Sequence, residues 1–343
     1  MRLIFLKALI VLILTSCSEK EALTFDEELQ KLSDKSQTFA ITNDQADTIV
    51  TKNGTRIIIR PKTFVFHDGQ DAKELIKIEL REVFDRSDMI LNGLGTVSDG
   101  RLLESFGMIY LRATSGDREL KIRDNESIAL SIANKREGFS GELFYGSESN
   151  SQLNWEYAGA TTDTTEVIET IIPMSDGLAS IKRTTYKFVN GLREFVSDTL
   201  FIIKYECCLD SVEEVVGDTV YYIPKFYEFE LTNLGWINCD RFIDIINKVD
   251  LDIELKNFSQ PIGYIVFNDI NSVVEVLFNA QGKAIVLNLP KNYQADLVIL
   301  DKIKDNFMWT KQEIRIGTDS RLTLETKKIK EDELKVELKK IDK

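Results

Sequence analysis

The side chain best placed to undergo a chemical modification is Cys17, which ends an apolar run and is followed by charged residues. Arg2 and Lys7 precede the unbroken apolar stretch 8–14, and this order is typical of an export signal. That stretch is too short to span a bilayer, which takes about 20 apolar residues in a helix. Immediately before the cysteine stand Leu14, Thr15 and Ser16.

Residues 14–17, LTSC, resemble the lipobox of bacterial lipoproteins, whose pattern is leucine, a small residue, a smaller residue and cysteine. Ser18, in place of aspartate, is similar to the outer-membrane form of the sorting signal, and the charged residues 19–21 resemble a surface-export tag. The alternative is an ordinary secretory signal with a coincidental cysteine. The resemblance implies a signal peptide over 1–16, after which Cys17 carries lipid and begins the mature chain. Two or three acyl chains anchor a protein stably. The resemblance therefore implies a lipid-anchored outer-membrane protein that faces the periplasm or the cell surface.

The composition limits the chemistry of the chain, because it holds a single histidine. His67 lies in the polar sequence VFHDGQD and is expected in a loop. Zinc sites with two or three histidines are excluded, and no G-x-S-x-G motif supplies a nucleophilic serine. The net charge of −13 becomes −15 when Arg2 and Lys7 leave with the signal (−13 − 2 = −15). Such an acidic surface argues against nucleic acid as a partner.

Three cysteines remain beyond Cys17, namely Cys207, Cys208 and Cys239. An odd number in an exported protein suggests one disulfide and a free thiol, or no disulfide. Adjacent strand residues point to opposite faces, so at most one of Cys207 and Cys208 can reach Cys239 without distortion. A disulfide from one of them to Cys239 and a buried reduced Cys239 both stay open.

Carboxylates are too numerous, at 56, for a pair such as Asp85 and Asp88 to indicate glycosidase chemistry. Calcium is a candidate ligand, because HDGQD, DRSD and SGDRE place oxygen ligands in turns. None of these segments has EF-hand spacing, and solvated turns are the alternative interpretation. Ser105, in LLESFGM, is expected in a turn or bulge, with Gly107 allowing close backbone approach. Trp155 and Trp236 are interpreted as core residues. No catalytic residue and no cofactor are predicted.

Most of the chain alternates apolar and polar residues with a period near two, which predicts an all-β fold. Asn53-Gly54 predicts a two-residue hairpin turn that sets Val50 opposite Ile57. Residues 17–37 are expected to form a tether with a short exposed helix, and the charged end from Lys327 an edge strand. The predicted regions are a β-sandwich over 38–158, an irregular β-rich middle over 159–248 and an immunoglobulin-like or transthyretin-like sandwich over 249–343.

The segments GTRIIIRPKTF, LLESFGMIYL and LGWINCDRF resemble a group of uncharacterised lipoproteins of Gram-negative bacteria. More remotely, the first region resembles the ZU domain, a β-sandwich of ankyrins, netrin receptors and zonula-occludens proteins that serves as a protein-interaction module. Some of those domains cleave themselves at His-Phe-Ser. This chain has Ser105-Phe106-Gly107 without a preceding histidine, so self-cleavage is not implied.

These observations predict a non-enzymatic binding, adhesion or scaffold protein, attached to the membrane through its N-terminal lipid. Its partners would be other envelope proteins or an extracellular polymer. Two alternatives stay open: an envelope glycan hydrolase that uses paired carboxylates, and an accessory subunit of an outer-membrane complex.

Overall fold

The computed structural model describes residues 24–133, 141–149, 152–158, 165–173, 178–189, 192–204, 215–216, 219–220 and 226–342. Three helices lie among strands in these residues, namely α1 (Phe25–Leu32), α2 (Arg86–Leu91) and α3 (Glu331–Lys339). A 3-10 turn, Lys340–Asp342, follows α3.

The strands form several sheets that are antiparallel apart from one pair, and they confirm the predicted all-β fold. In chain order they are β1 (Gln37–Ile41), β2 (Asp47–Val50), β3 (Arg56–Ile59), β4 (Phe64–Phe66), β5 (Ile76–Val83), β6 (Val97–Ser98), β7 (Arg101–Ser115), β8 (Arg118–Ile122), β9 (Ile128–Ala133), β10 (Glu142–Ser149), β11 (Gln152–Tyr157), β12 (Thr165–Pro173), β13 (Leu178–Val189), β14 (Leu192–Lys204), β15 (Val215–Val216), β16 (Thr219–Val220), β17 (Phe226–Leu231), β18 (Gly235–Phe242), β19 (Lys248–Lys256), β20 (Ile262–Phe267), β21 (Val273–Leu277), β22 (Lys283–Pro290), β23 (Gln294–Ile303), β24 (Asn306–Arg315), β25 (Arg321–Glu325) and β26 (Lys327–Ile329).

Two of the sheets form the first sandwich. Sheet 1 has the strand order β1-β5-β7-β18-β10-β11, with β4, β6 and β8 attached beside this path, and sheet 2 has the order β17-β9-β3-β2. Their facing side chains form one core, in which Ile78 and Ile109 of sheet 1 pack with Ile57 and Leu130 of sheet 2.

The second sandwich is made of sheet 3, with the order β22-β19-β25, and sheet 4, with the order β21-β20-β23-β24-β26. Strands β19 and β25 are the parallel pair. Ile253 and Val286 of sheet 3 meet Ile265 and Leu297 of sheet 4 in a separate core.

A third core joins the two sandwiches, and we call it the seam. It lies between the outer faces of sheets 1 and 4, where Met108 and Phe144 from sheet 1 pack with Tyr264 and Val298 from sheet 4. Backbone hydrogen bonds cross the same contact, as from Ser105 N to Asn271 O at 2.9 Å. Sheets 1 and 4 are therefore covered on both faces, so their central strands are buried almost continuously instead of at alternate residues.

Helices from both ends of the described chain pack into the seam. Thr24 and Glu27 form a capping box that begins α1, with Thr24 N donating to Glu27 Oε2 at 2.8 Å. Leu29 of α1 and Leu338 of α3 are both buried in the seam. The predicted helix is present, but one of its faces, with Leu29 and Leu32, is buried in the seam, while Asp26 and Glu27 remain exposed. The charged segment from Lys327 forms an edge strand of only three residues, β26, and helix α3 follows it.

The hairpin between β2 and β3 is shifted by one residue from its predicted register. Ile49, and not Val50, lies opposite Ile57. Gly54 has a φ of +89°, but Asn53 does not have a positive φ, whereas a type I′ turn requires both. The connection is a three-residue loop closed by Thr51 N donating to Thr55 O at 2.9 Å.

The predicted middle region, 159–248, contributes strands to the first sandwich. Strand β17 pairs with β9 in sheet 2, and β18 lies between β7 and β10 in sheet 1. The boundary predicted at residue 158 therefore does not separate these strands from the first sandwich. Strand β18 lies within the LGWINCDRF segment. Strands β12, β13 and β14 form a sheet of their own.

Candidate functional site

The largest of the four cavities described here lies at the end of the first sandwich remote from the seam, and we call it the loop-end cavity. Its volume is about 890 Å³. The turn after β4, the chain leading into β5 and the β7–β8 turn surround it. Its lining residues are Phe66, Gly69, Gln70, Asp71, Lys73, Glu74, Ser115, Gly116, Asp117 and Arg118. The volume lies in the range of small-molecule sites, about 300–1,000 Å³.

Strand pairing brings together two of the segments considered for calcium. Strand β4 pairs with β8, and this places the HDGQD turn beside the SGDRE turn. The first turn is closed by Phe66 N donating to Gln70 O at 2.9 Å. His67 is exposed in this turn, as predicted.

Arginines pair with both carboxylates of the HDGQD turn. Arg118 Nη2 lies 2.7 Å from Asp68 Oδ2, and Arg123 pairs with Asp71. A backbone hydrogen bond from Gln70 and the Arg118 contact lower the pKa of Asp68, and the Arg123 hydrogen bond lowers the pKa of Asp71. Within the described residues, no group of three or more histidine, cysteine, aspartate or glutamate side chains is arranged to hold a metal ion.

The remaining charged groups of the loop-end cavity face solvent. Lys73, Glu74 and Asp117 are exposed, and the Arg118 guanidinium lies over the Phe66 ring, 3.8 Å from its centroid. The cavity therefore offers charges of both signs, amide and hydroxyl groups, and one cation-covered aromatic ring. This set suits hydrogen bonding to a polar partner.

A buried polar cluster lies at a bulge in sheet 1, on the seam face. The register between β7 and β18 shifts so that Gly107 faces Cys239 and Ser105 faces Asp240, which leaves Phe106 as the extra residue. The bulge predicted from LLESFGM is therefore confirmed. Gly107 has a φ of +151°, and a Cβ at this position would lie only 2.5 Å from Cε1 of Phe84. The predicted close approach to the Gly107 backbone is therefore also present.

Asp240 is the most perturbed acid of this cluster. Its side chain is fully buried, and burial together with the neighbouring Glu104 raises its pKa to about 8, although a hydrogen bond from Asn238 lowers it. Asn238 Nδ2 donates to Asp240 Oδ2 at 2.5 Å. The other oxygen, Oδ1, has no partner of ordinary hydrogen-bond geometry among the described residues. With this pKa, the Asp240 carboxyl is mostly protonated at neutral pH. Its side chain lines none of the four cavities described here.

Asp85 and Asp88 lie at the start of α2, beside two smaller cavities at the seam of about 130 and 220 Å³. Lys339 Nζ of α3 lies 3.1 Å from Asp88 Oδ1. Burial nevertheless raises the pKa of Asp88. Next to this pair, Asp342 accepts hydrogen bonds from the backbone N and the hydroxyl of Ser87 at 2.9 and 2.6 Å. The acids here are engaged in holding the C-terminal segment against α2.

Two predictions about individual side chains can be placed in the structure. Trp155 is fully buried in the seam and donates from Nε1 to Gly95 O at 2.7 Å, and Trp236 packs on the seam beside Tyr110. Both are core residues, as predicted. Cys239 is fully buried, and burial raises the pKa of its thiol. Its predicted partners Cys207 and Cys208 lie outside the described residues, so the disulfide stays a prediction.

The predicted lipidation site, Cys17, and the cleavage motif before it also lie outside the described residues. Across the residues that the structure does describe, every helix is too short or too polar to cross a membrane. Comparison with known proteins finds no matching protein-family model, no matching curated protein and no matching solved structure.

Proposed function

We propose that this chain is a lipid-anchored binding protein of the bacterial cell envelope, and that it contacts its partner through the loop-end cavity. The observation that carries the binding role is the cavity itself, because three chain segments converge there around solvent-facing charges. The resemblance to ZU domains, which are interaction modules, supports the same role. The sequence LTSC before a charged segment supports the anchor. The partner is an envelope protein or an extracellular polymer.

The anchor is tested by Cys17→Ala in the full-length protein. We expect the variant to stay unprocessed or to leave the membrane fraction, because the thiol that receives the diacylglycerol is gone and the apolar stretch 8–14 cannot span the bilayer. Flotation of membranes on a density gradient and the mass of the N-terminal peptide report the result. Ser16→Ala serves as the control, since it keeps a small residue before the cysteine. Unchanged membrane association and processing in Cys17→Ala would refute lipid anchoring.

The binding role is tested by replacing Lys73, Glu74 and Asp117 together by alanine. These side chains are exposed at the cavity and make none of the ion pairs of the described residues, so folding should be unaffected while binding is lost. The control variant replaces Glu254, Lys283 and Arg321 by alanine on the outer face of sheet 3.

After chemical crosslinking of intact cells and purification, we expect the same partner with the wild-type and control proteins. At least a tenfold loss of that partner is expected with the cavity variant. Equal recovery from all three proteins would contradict the proposed binding surface.

A further inference from the structure

The position of α1 bears on how an anchored molecule would be oriented. Seven residues, 18–24, separate Cys17 from the first residue of α1. A chain of seven residues reaches at most about 25 Å even when fully extended. The start of α1 is therefore confined to the neighbourhood of whatever surface holds the Cys17 lipid.

Packing fixes the start of α1 against the edge of sheet 4. The Phe25 and Phe307 rings have centroids 6.0 Å apart. One turn later in the helix, Glu28 forms an ion pair with Lys302 Nζ at 2.5 Å. Strand β26 lies beside this contact, because Phe307 pairs with Ile329. The first turn of α1 is thus held to the β23–β24 turn and to the edge strand β26.

We call the surface around this contact the tether face, and we define it by Phe25, Lys304, Phe307 and Lys327. Lys327 pairs with Trp309 and therefore lies on the same side of sheet 4 as Phe307. The two lysines are exposed and the two phenylalanines are half-buried. Lysines and aromatic rings are the side chains that suit the headgroup region of a bilayer.

The charge of the tether face does not itself attract an anionic lipid surface. Exposed acids at Asp26, Glu27 and Asp305 lie next to Phe25 and Lys304 in the chain. The proposed contact therefore depends on the short linker and on the lysine and aromatic side chains, and not on a positive net charge.

The loop-end cavity lies at the opposite end of the first sandwich from the seam. Strand β5 runs from Val83 at the seam to Ile76 near the cavity, and its eight residues span about 25 Å. The short linker holds the start of α1 near the membrane. A position of the loop-end cavity at the membrane surface is therefore disfavoured.

We propose that the tether face lies against the bilayer that holds the Cys17 lipid, so that the loop-end cavity is directed away from the membrane. The inference rests on the proposed lipid anchor and adds the side of the molecule that meets the lipid. The partner for this surface is a phospholipid headgroup layer.

The test compares lysine reactivity in the lipidated full-length protein and in Cys17→Ala, each mixed with vesicles of phosphatidylethanolamine and phosphatidylglycerol. An amine-acetylating reagent is added and the modified peptides are quantified by mass spectrometry. We expect Lys304 and Lys327 to react at least threefold more slowly in the lipidated protein. Lys62 and Lys73, which are exposed at the loop end, should react equally in both. Equal rates at all four lysines, or slower reaction of Lys62 and Lys73, would overturn the proposed orientation.

A second variant separates the orientation from the anchor. Twenty glycine and serine residues inserted after Glu21 add about 25 Å of average reach, so the protein should still float with vesicles while Lys304 regains the reactivity of Lys73. If Lys304 still reacts slowly in the variant with the longer linker, the short linker is not the cause of its protection. That result would overturn the argument. If the unaltered protein does not float with vesicles, the anchor itself is wrong, and the inference falls with it.

Discussion

Asp240→Asn is expected to remove a loss of stability that the wild-type protein undergoes between about pH 5 and pH 8. The carboxyl has a pKa of about 8 when folded and about 3.9 in an unfolded chain. Between these values the folded state holds more protons than the unfolded state, so the free energy of unfolding falls as the pH rises, by up to about 1.4 kcal/mol per pH unit. Asparagine has the same shape and no such titration.

Urea unfolding at half-unit steps from pH 5 to pH 8 measures this effect. The difference in unfolding free energy between Asp240→Asn and wild type should shift in favour of the variant with each step. Asp244→Asn is the control, because Asp244 is an exposed carboxylate four residues further along the chain. A constant difference between Asp240→Asn and wild type over this range would mean that the buried acid does not titrate as described.

Leu338→Ala is expected to lower the free energy of unfolding by about 2–5 kcal/mol. The side chain is fully buried in the seam, where it packs with residues of both sandwiches and of α1. Its truncation leaves a cavity in a core that holds separate parts of the chain together, so relaxation around it is limited. The urea midpoint followed by tryptophan fluorescence reports the loss, since Trp155 lies in the same core.

Val336→Ala on the same helix provides the matched control. Val336 is 57% exposed, so its truncation should change the free energy of unfolding by no more than about 0.5 kcal/mol. If both substitutions lower the free energy of unfolding by the same amount, the burial of Leu338 in the seam does not stabilise α3.

The all-β fold could be predicted from the sequence because alternation of apolar and polar residues is a local signal. Strand β5 shows this well, since Ile76, Ile78 and Leu80 are buried whereas Lys77 is exposed and Glu79 is half-buried. The bulge at Phe106 was also readable, because a glycine beside small and polar residues inside an apolar run indicates close backbone approach.

The seam could not be predicted, because it depends on which sheets stack on each other. Strand β18 lies inside sheet 1 and is covered on both faces, with Cys239 in the first core and Trp236 on the seam. Buried Asn238 and Asp240 occupy positions where a strand normally carries apolar residues, so the segment does not show the period of a strand. The helical spacing in α1 was visible, but its burial follows from a partner more than 200 residues away.

The convergence of the HDGQD and SGDRE turns was likewise beyond local reasoning. The sequence indicated oxygen-rich turns, but the pairing of β4 with β8 places Arg118 and Arg123 on the carboxylates. In the sequence alone, the two aspartates of HDGQD resemble the ligands of a cation site. In the structure their charges are balanced by Arg118 and Arg123, so the turn is a polar surface without excess negative charge at these positions.

Because α1 packs between the two sandwiches, any tension applied at the N-terminus is transmitted first to the seam. The force would peel Leu29 and Leu32 out of a hydrophobic contact before it reached the hydrogen bonds of β1. Under such a force, the packing of α1 in the seam would give way first. The strands of sheet 1 would then bear the force only after α1 had detached.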